Sequence, residues 1–220
     1  MSRVLARPIT YLITSGETSS ATGPESEEFR RLLALVRAAV EARVTLVQLR
    51  EKELTGRVLF ELAAAAAHIA RDSTTRVLVN DRADVARAAG CDGVHLTTRS
   101  LGAPVVRRAF GEEFLIGVSA HTLEEARAAR EGGADFAVFG PVFDTPSKRA
   151  FGPPVGLDAL KEAARELSPF PLVALGGVGE EEVKEVLRAG AAGVAGIRLF
   201  SNGQNLARIV HHIGRAYGPF

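Results

Sequence analysis

Arg87 to Val94 reads RAAGCDGV, Arg130 to Val138 reads REGGADFAV, and Arg188 to Ala195 reads RAGAAGVA. The three segments share one design. Each closes a helical pattern at a glycine able to take the left-handed C-cap conformation, and each then turns through small residues into a short strand-like run. A helix end that hands directly to a strand, repeated along one chain, is the mark of parallel β/α units that build a single sheet.

Outward from these repeats, short β-branched runs alternate with longer Ala, Leu, Glu and Arg segments that place apolar residues at helical spacing. The runs are Ile9 to Thr14, Thr45 to Arg50, Val77 to Asn80, Gly93 to Leu96, Leu115 to Ser119, Phe136 to Val142, Leu172 to Gly176 and Val194 to Leu199. The helical patterns are Ser26 to Ala42, Gly56 to Arg71, Thr122 to Glu131, Leu157 to Leu167, Glu180 to Ala189 and Asn205 to Tyr217, and the third and fourth crossovers are shorter. Eight such units, with no G-x-G-x-x-G after the first run, favour a closed (β/α)8 TIM barrel over a doubly wound open sheet. The 220 residues suit one domain, expected over 1–220. Ser15 to Ser26 and Ser201 to Asn205 read as loops, and no interdomain linker stands out.

Charge narrows the partners. Lys and Arg number 27 against 26 Asp and Glu, so the net charge of +1 gives no overall field to gather nucleic acid or an anionic membrane. Neither is expected as a partner, and any anion must be caught locally. Cys91 is the only cysteine, which excludes an intrachain disulfide and fits a reducing compartment, so the cytoplasm is expected. The apolar run Ile9 to Ile13 is too brief for a signal h-region. No stretch approaches the roughly 20 apolar residues of a membrane span. The assembly state stays open, a homo-oligomer included.

In a closed parallel barrel the working face is the ring of loops after each strand. Strand two ends in Gln48-Leu49-Arg50-Glu51-Lys52, where Gln48, Arg50 and Lys52 alternate to one side. Two cations together suit a phosphate or pyrophosphate; the alternative is a solvated strand end paired to Glu51 or Glu53. Strand three ends in Asn80-Asp81, an oxygen set suited to Mg2+, or else an Asx cap. Strand five ends in Ser119-Ala120-His121-Thr122, where Thr122 and Glu125 form a capping box that leaves His121 free as a general acid or base, or as a neutral hydrogen-bonded histidine. After strand six the long loop places Thr145, Ser147 and Lys148 together as an anion nest. Strands seven and eight end in Gly176-Gly177-Val178-Gly179 and Gly196-Ile197-Arg198, where barrels commonly bind phosphate on backbone N–H groups.

Taken together, VQLREK (Val47 to Lys52), VNDR (Val79 to Arg82), DGVHL (Asp92 to Leu96), IGVSAHTLEE (Ile116 to Glu125), GADFAVFGPV (Gly133 to Val142), TPSK (Thr145 to Lys148), PVGL (Pro154 to Leu157) and VALGG (Val173 to Gly177) resemble the thiamin phosphate synthase and TenI family over almost the whole chain. The resemblance implies a barrel that joins hydroxymethylpyrimidine pyrophosphate, an aminopyrimidine, to thiazole phosphate with Mg2+. It implies Gln48 and Ser119 beside the pyrimidine, and Arg50, Lys52, Asn80 and Lys148 on pyrophosphate. Lys148, Ser119 and His121 are the catalytic candidates. Asp81 would hold metal, Thr145 and Ser147 would lie on the thiazole side, and Gly177 with Gly196, Ile197 and Arg198 would meet the thiazole phosphate.

Two positions depart from the family's pattern. Ser100 stands where synthases carry a second metal carboxylate, beside Arg99, and Arg198 stands where they carry serine. The departures leave an alternative, a TenI-like tautomerase that moves a proton with His121 and needs no metal, and a second one, a non-catalytic barrel that binds thiamin precursors.

Overall fold

The structure is a computed structural model that describes residues 5–145 and 153–218. Eight parallel strands close into a barrel in sequence order: β1 (Ile9–Ile13), β2 (Leu46–Leu49), β3 (Arg76–Asn80), β4 (Gly93–Leu96), β5 (Leu115–Ala120), β6 (Phe136–Phe139), β7 (Leu172–Ala174) and β8 (Gly193–Gly196). Closure comes from β1 pairing with β8, with Ile9 opposite Gly193 and Leu12 opposite Gly196. The strands read as continuous apolar runs because both faces are buried, one inside the barrel and one under the helices. Ile9, Tyr11, Leu46, Leu78, Phe136, Val138 and Val173 pack within the barrel, and a second, larger cluster lies between strands and helices.

Between the strands run α1 (Glu27–Glu41), α2 (Gly56–Ala70), α3 (Ala83–Ala88), α4 (Ala103–Phe110), α5 (Leu123–Glu131), α6 (Gly156–Leu167), α7 (Val183–Arg188) and α8 (Leu206–Ala216). Helices α3 and α4 are short, as expected, and α7 is as short as α3. Helix α1 shows why such segments are helical: Ser26 accepts from the Phe29 N–H, Glu27 and Glu28 sit in the first turn, and Phe29, Leu32, Val36 and Ala39 bury one stripe. No described helix is long and apolar enough to cross a membrane.

The three repeats are helix-ending motifs of one kind. Gly90, Gly133 and Gly190 take φ of 74°, 82° and 97°. The next residue's N–H reaches back across the turn in each case: Cys91 to Ala86 O, Ala134 to Ala129 O, and Ala191 to Val186 O. A fourth copy ends α1, where Val44 N–H bonds Ala39 O around Arg43 at φ 58°, hidden from the sequence because the left-handed residue is arginine. Two of the repeats also carry an aspartate at the strand entrance. Asp92 accepts the Val77 N–H and pairs with Arg76, while Asp135 accepts the Ile116 N–H and pairs with Arg107.

Four expected boundaries move by two residues or more. β6 stops at Phe139 rather than Val142, because Pro141 has no N–H for the ladder and the N–H groups of Val142 and Phe143 turn to Leu175 O and Gly176 O. β7 stops at Ala174 rather than Gly176, whose φ of 95° leaves the strand. β8 stops at Gly196 rather than Leu199, since Arg198–Phe200 wind into a 3-10 turn that buries Phe200. Helix α7 begins at Val183 rather than Glu180, because Glu180 is drawn to Arg208 and Glu182 accepts the Gly179 N–H.

A left-handed conformation costs a residue with a side chain about 1–2 kcal/mol, and glycine returns part of that as unfolded-state entropy. Arg43→Gly is therefore expected to stabilise the fold by about 0.5 kcal/mol, read as a higher urea midpoint at unchanged slope; a lower midpoint would contradict the account of this turn.

Candidate functional site

Four polar side chains from four strands meet inside the barrel. Gln48 Nε2 donates to the Tyr11 hydroxyl at 2.8 Å, that hydroxyl lies 3.2 Å from His95 Nδ1, and His95 Nε2 lies 2.9 Å from Ser119 Oγ. Tyr11, Gln48 and His95 are buried. Burial holds the Tyr11 phenol far above its ordinary range and pushes His95 down to about 4, so the imidazole is neutral. Phe136 meets Tyr11 edge to face at 5.6 Å between ring centres. Gly117 makes the room: a Cβ there would lie 2.4 Å from Phe136 Cζ and 2.9 Å from His95 Nδ1. Strand spacing alone singles out neither Tyr11 nor His95, whose partners come from other strands.

At the exit of β3 the backbone turns sharply. Asp81 adopts φ 60°, a left-handed conformation that aspartate tolerates better than most residues. Its carboxylate accepts from Asn80 Nδ2 at 2.7 Å, from Thr97 Oγ1 at 3.2 Å and from the Ser100 hydroxyl. Ser100 thus stands against Asp81, held also by the Thr97 N–H at 2.7 Å. Asp92, the other nearby carboxylate in sequence, sits at the entrance of β4 on Val77 and Arg76, at the opposite end of the strand.

The β2 exit divides its residues. Gln48 points into the barrel, while Lys52 lies exposed in a turn past the strand, so the alternation expected through Gln48, Arg50 and Lys52 breaks before Lys52. Glu51 is buried and is used by the loop after β1, accepting from Gly16 N, Thr18 N and Thr18 Oγ1. Neither Arg50 nor Lys52 forms an ion pair with a described residue.

His121 is exposed at the end of β5, and its Nδ1 donates to Gly140 O. The capping box takes a shifted form, for Thr122 accepts from Glu125 N while Glu125 accepts from the His121 N–H at 2.6 Å. His121 is therefore engaged in the cap through its backbone, contrary to expectation. Across the barrel, Gly176 and Gly177 are required by contact as well as by φ: a Cβ at Gly177 would lie 2.5 Å from Phe143 Cβ, and one at Gly176 2.4 Å from Pro141 Cβ. Gly196, Ile197 and Arg198 follow on the adjoining strand β8, with Arg198 exposed. Thr145 is buried; Ser147 and Lys148 lie outside the described residues. The expected residues thus form one group at β2, β3, β4 and β5 and a second at β7 and β8.

A parallel barrel with glycine-rich turns at its strand ends, and with cations there that form no ion pair among the described residues, is of the class that commonly binds phosphorylated small molecules. The chain matches the thiamine monophosphate synthase family over residues 13–200 and belongs to it. It is 44% identical over 166 residues to the thiamine-phosphate synthase of Moorella thermoacetica, covering 76% of this chain and 79% of that one. It is 38% identical over 192 residues to that of Roseiflexus sp. strain RS-1, covering 87% and 81%. A solved thiamine phosphate pyrophosphorylase from Pyrococcus furiosus superposes with a TM-score of 0.76 at 29% identity, covering 93% of this chain and 96% of its own.

The buried imidazole has a consequence for stability. Below pH 6.5 the unfolded chain protonates this histidine, whereas the folded state resists until about pH 4. Its contribution is complete above the unfolded value and is lost as pH falls from 6.5 towards 4, roughly 2–3 kcal/mol in all. His95→Gln is expected to flatten the urea stability against pH across that window; an unchanged slope would mean that His95 titrates freely in the folded state.

Proposed function

We propose that this chain is a thiamin phosphate synthase, joining hydroxymethylpyrimidine pyrophosphate to thiazole phosphate and releasing pyrophosphate. The observation that carries the reading is the meeting of Asn80, Asp81 and Ser100 at adjoining strand ends, next to a β2 exit where Arg50 forms no ion pair among the described residues. Relatives named for that reaction support it over the TenI-like tautomerase and over a non-catalytic precursor-binding barrel.

In this reading the pyrimidine lies against Gln48 and Ser119. Arg50, Lys52, Asn80 and Lys148 hold its pyrophosphate, and the thiazole phosphate rests on the turns of Gly177 and Gly196 to Arg198, with Thr145 and Ser147 on the thiazole side. The carbon–oxygen bond to pyrophosphate breaks heterolytically, leaving a delocalised pyrimidine cation that the thiazole nitrogen attacks. The protein's work is electrostatic and positional: its cations stabilise charge that builds on the leaving group, and the two anion sites hold the rings in contact.

Asp81 suits Mg2+ as the single protein carboxylate. Its oxygens accept from the Thr97 and Ser100 hydroxyls, whose own oxygens suit a hard cation, and from the Asn80 amide N–H, which orients the carboxylate without itself being a ligand; Mg2+ is commonly held by one or two carboxylates with substrate phosphate and water. When bound it would neutralise the pyrophosphate.

Purified protein with both substrates and Mg2+ is expected to yield thiamin phosphate and pyrophosphate in equal amounts; no product from folded protein contradicts the reading. Ser100→Asp, which adds a carboxylate beside Asp81, is expected to lower the Mg2+ concentration for half-maximal rate by about tenfold, the equivalent of ~1.4 kcal/mol. An unchanged or higher requirement would place the metal elsewhere.

A further inference from the structure

The chain from Gln48 to Ser119 has two self-consistent proton orders. In one, the Gln48 amide nitrogen donates to Tyr11, Tyr11 donates to His95 Nδ1, and His95 Nε2–H donates to Ser119, which leaves the Ser119 hydroxyl hydrogen and the Gln48 amide oxygen for a ligand. In the reverse order every donor becomes an acceptor, so the ligand meets an acceptor at Ser119 and N–H donors at Gln48.

The Gln48 contact favours the first order. Gln48 presents its nitrogen to Tyr11 at 2.8 Å, so the phenol oxygen accepts there and its proton goes to the remaining neighbour, His95 Nδ1 at 3.2 Å. With Nδ1 accepting, the imidazole proton lies on Nε2, 2.9 Å from Ser119 Oγ. Packing keeps both imidazole nitrogens aimed at their partners, since the His95 ring lies beside Tyr11 and Phe136, with ring centres 5.7 and 6.3 Å away, and over Gly117, so the order is set by which end of the Gln48 amide faces Tyr11. Thr75 Oγ1 is the one buried side-chain polar atom without a partner among the described residues, so the chain leaves no orphan inside the barrel.

The two orders match two different bases. An aminopyrimidine offers a ring nitrogen that accepts and an exocyclic amine that donates, the complement of a donating Ser119 and an accepting Gln48. Its deaminated counterpart offers a ring N–H and a carbonyl, the complement of the reverse order. We propose that Tyr11 and His95 are positioning residues that fix the proton order and thereby make the site select an aminopyrimidine over the oxo form. The inference rests on the reading above that the pyrimidine lies against Gln48 and Ser119.

Two measurements test it without requiring turnover. Calorimetry compares binding of the amino and oxo pyrimidine pyrophosphates to the wild-type protein and to Tyr11→Phe, which keeps the ring and removes the hydroxyl. The wild type is expected to favour the amino compound by on the order of a hundredfold or more, as for sites that leave polar groups unpaired with the wrong ligand, and Tyr11→Phe to narrow that ratio at least about tenfold. Equal binding by the wild type, or a ratio that Tyr11→Phe leaves intact, overturns the proposal. Nitrogen-15 NMR of His95 in the wild-type protein is expected to show the proton on Nε2, and a proton on Nδ1 overturns it even if the variant does not fold. A wild-type protein that discriminates in this way yet forms no thiamin phosphate would retire the synthase reading and leave the selection mechanism standing.

Discussion

The space inside the barrel is the constraint on which the rest depends. A closed eight-stranded barrel has just enough room to be filled by side chains, and here one layer must hold Tyr11, His95 and Phe136 together. Gly117 opposite Phe136 gives up its side chain so that they fit. Polar groups in so dry a place are costly unless they satisfy one another, and the Tyr11 hydroxyl and His95 imidazole do so by reaching Gln48 on one side and Ser119 on the other. Packing of the core and orientation of the site are thereby one problem solved by the same residues.

At the rim the logic changes from packing to charge. The chain is close to neutral overall, so an anion is drawn by placement rather than by a general field. Among the described residues Arg50 has no carboxylate partner, while Glu51, its neighbour, is turned away to anchor the loop after β1. Asp81 is held in a left-handed turn with its carboxylate ringed by an amide and two hydroxyls. In the proposed reading a single carboxylate so arranged would leave most of the binding of Mg2+ to the substrate's own oxygens. On the far side, the loops after β6 and β7 lock through Val142 and Phe143 N–H bonds, with glycines where they touch.

The barrel was legible because its units repeat: a glycine that must leave a helix in a left-handed turn is visible in sequence three times, and the fourth copy escaped only because Arg43 fills it. Strand ends were less legible. The apolar pattern of β6 runs on through Val142, and only the missing N–H of Pro141 and the competing carbonyls of Leu175 and Gly176 stop the ladder at Phe139. Asn80 and Asp81 could be named from the topology alone and Ser100 only from the family resemblance, and the three do come together. Tyr11 and His95 could not, since they stand 84 residues apart and read locally as ordinary members of buried strands. Lys52 shows the reverse: the alternation read through Gln48, Arg50 and Lys52 needs an extended segment, and the strand ends at Leu49.

The proposed function requires two separate anion sites at the mouth of this barrel, one at the exits of β2 and β3 and the other at those of β7 and β8. A crystal structure with thiamin phosphate and pyrophosphate bound is the decisive measurement. The expected result is pyrophosphate against Arg50, Lys52 and Asn80 with Asp81 at its edge, and the monophosphate on the turns of Gly177 and Gly196 to Arg198. Pyrophosphate on the β7 and β8 turns, or both anions in one of the two places, would contradict it.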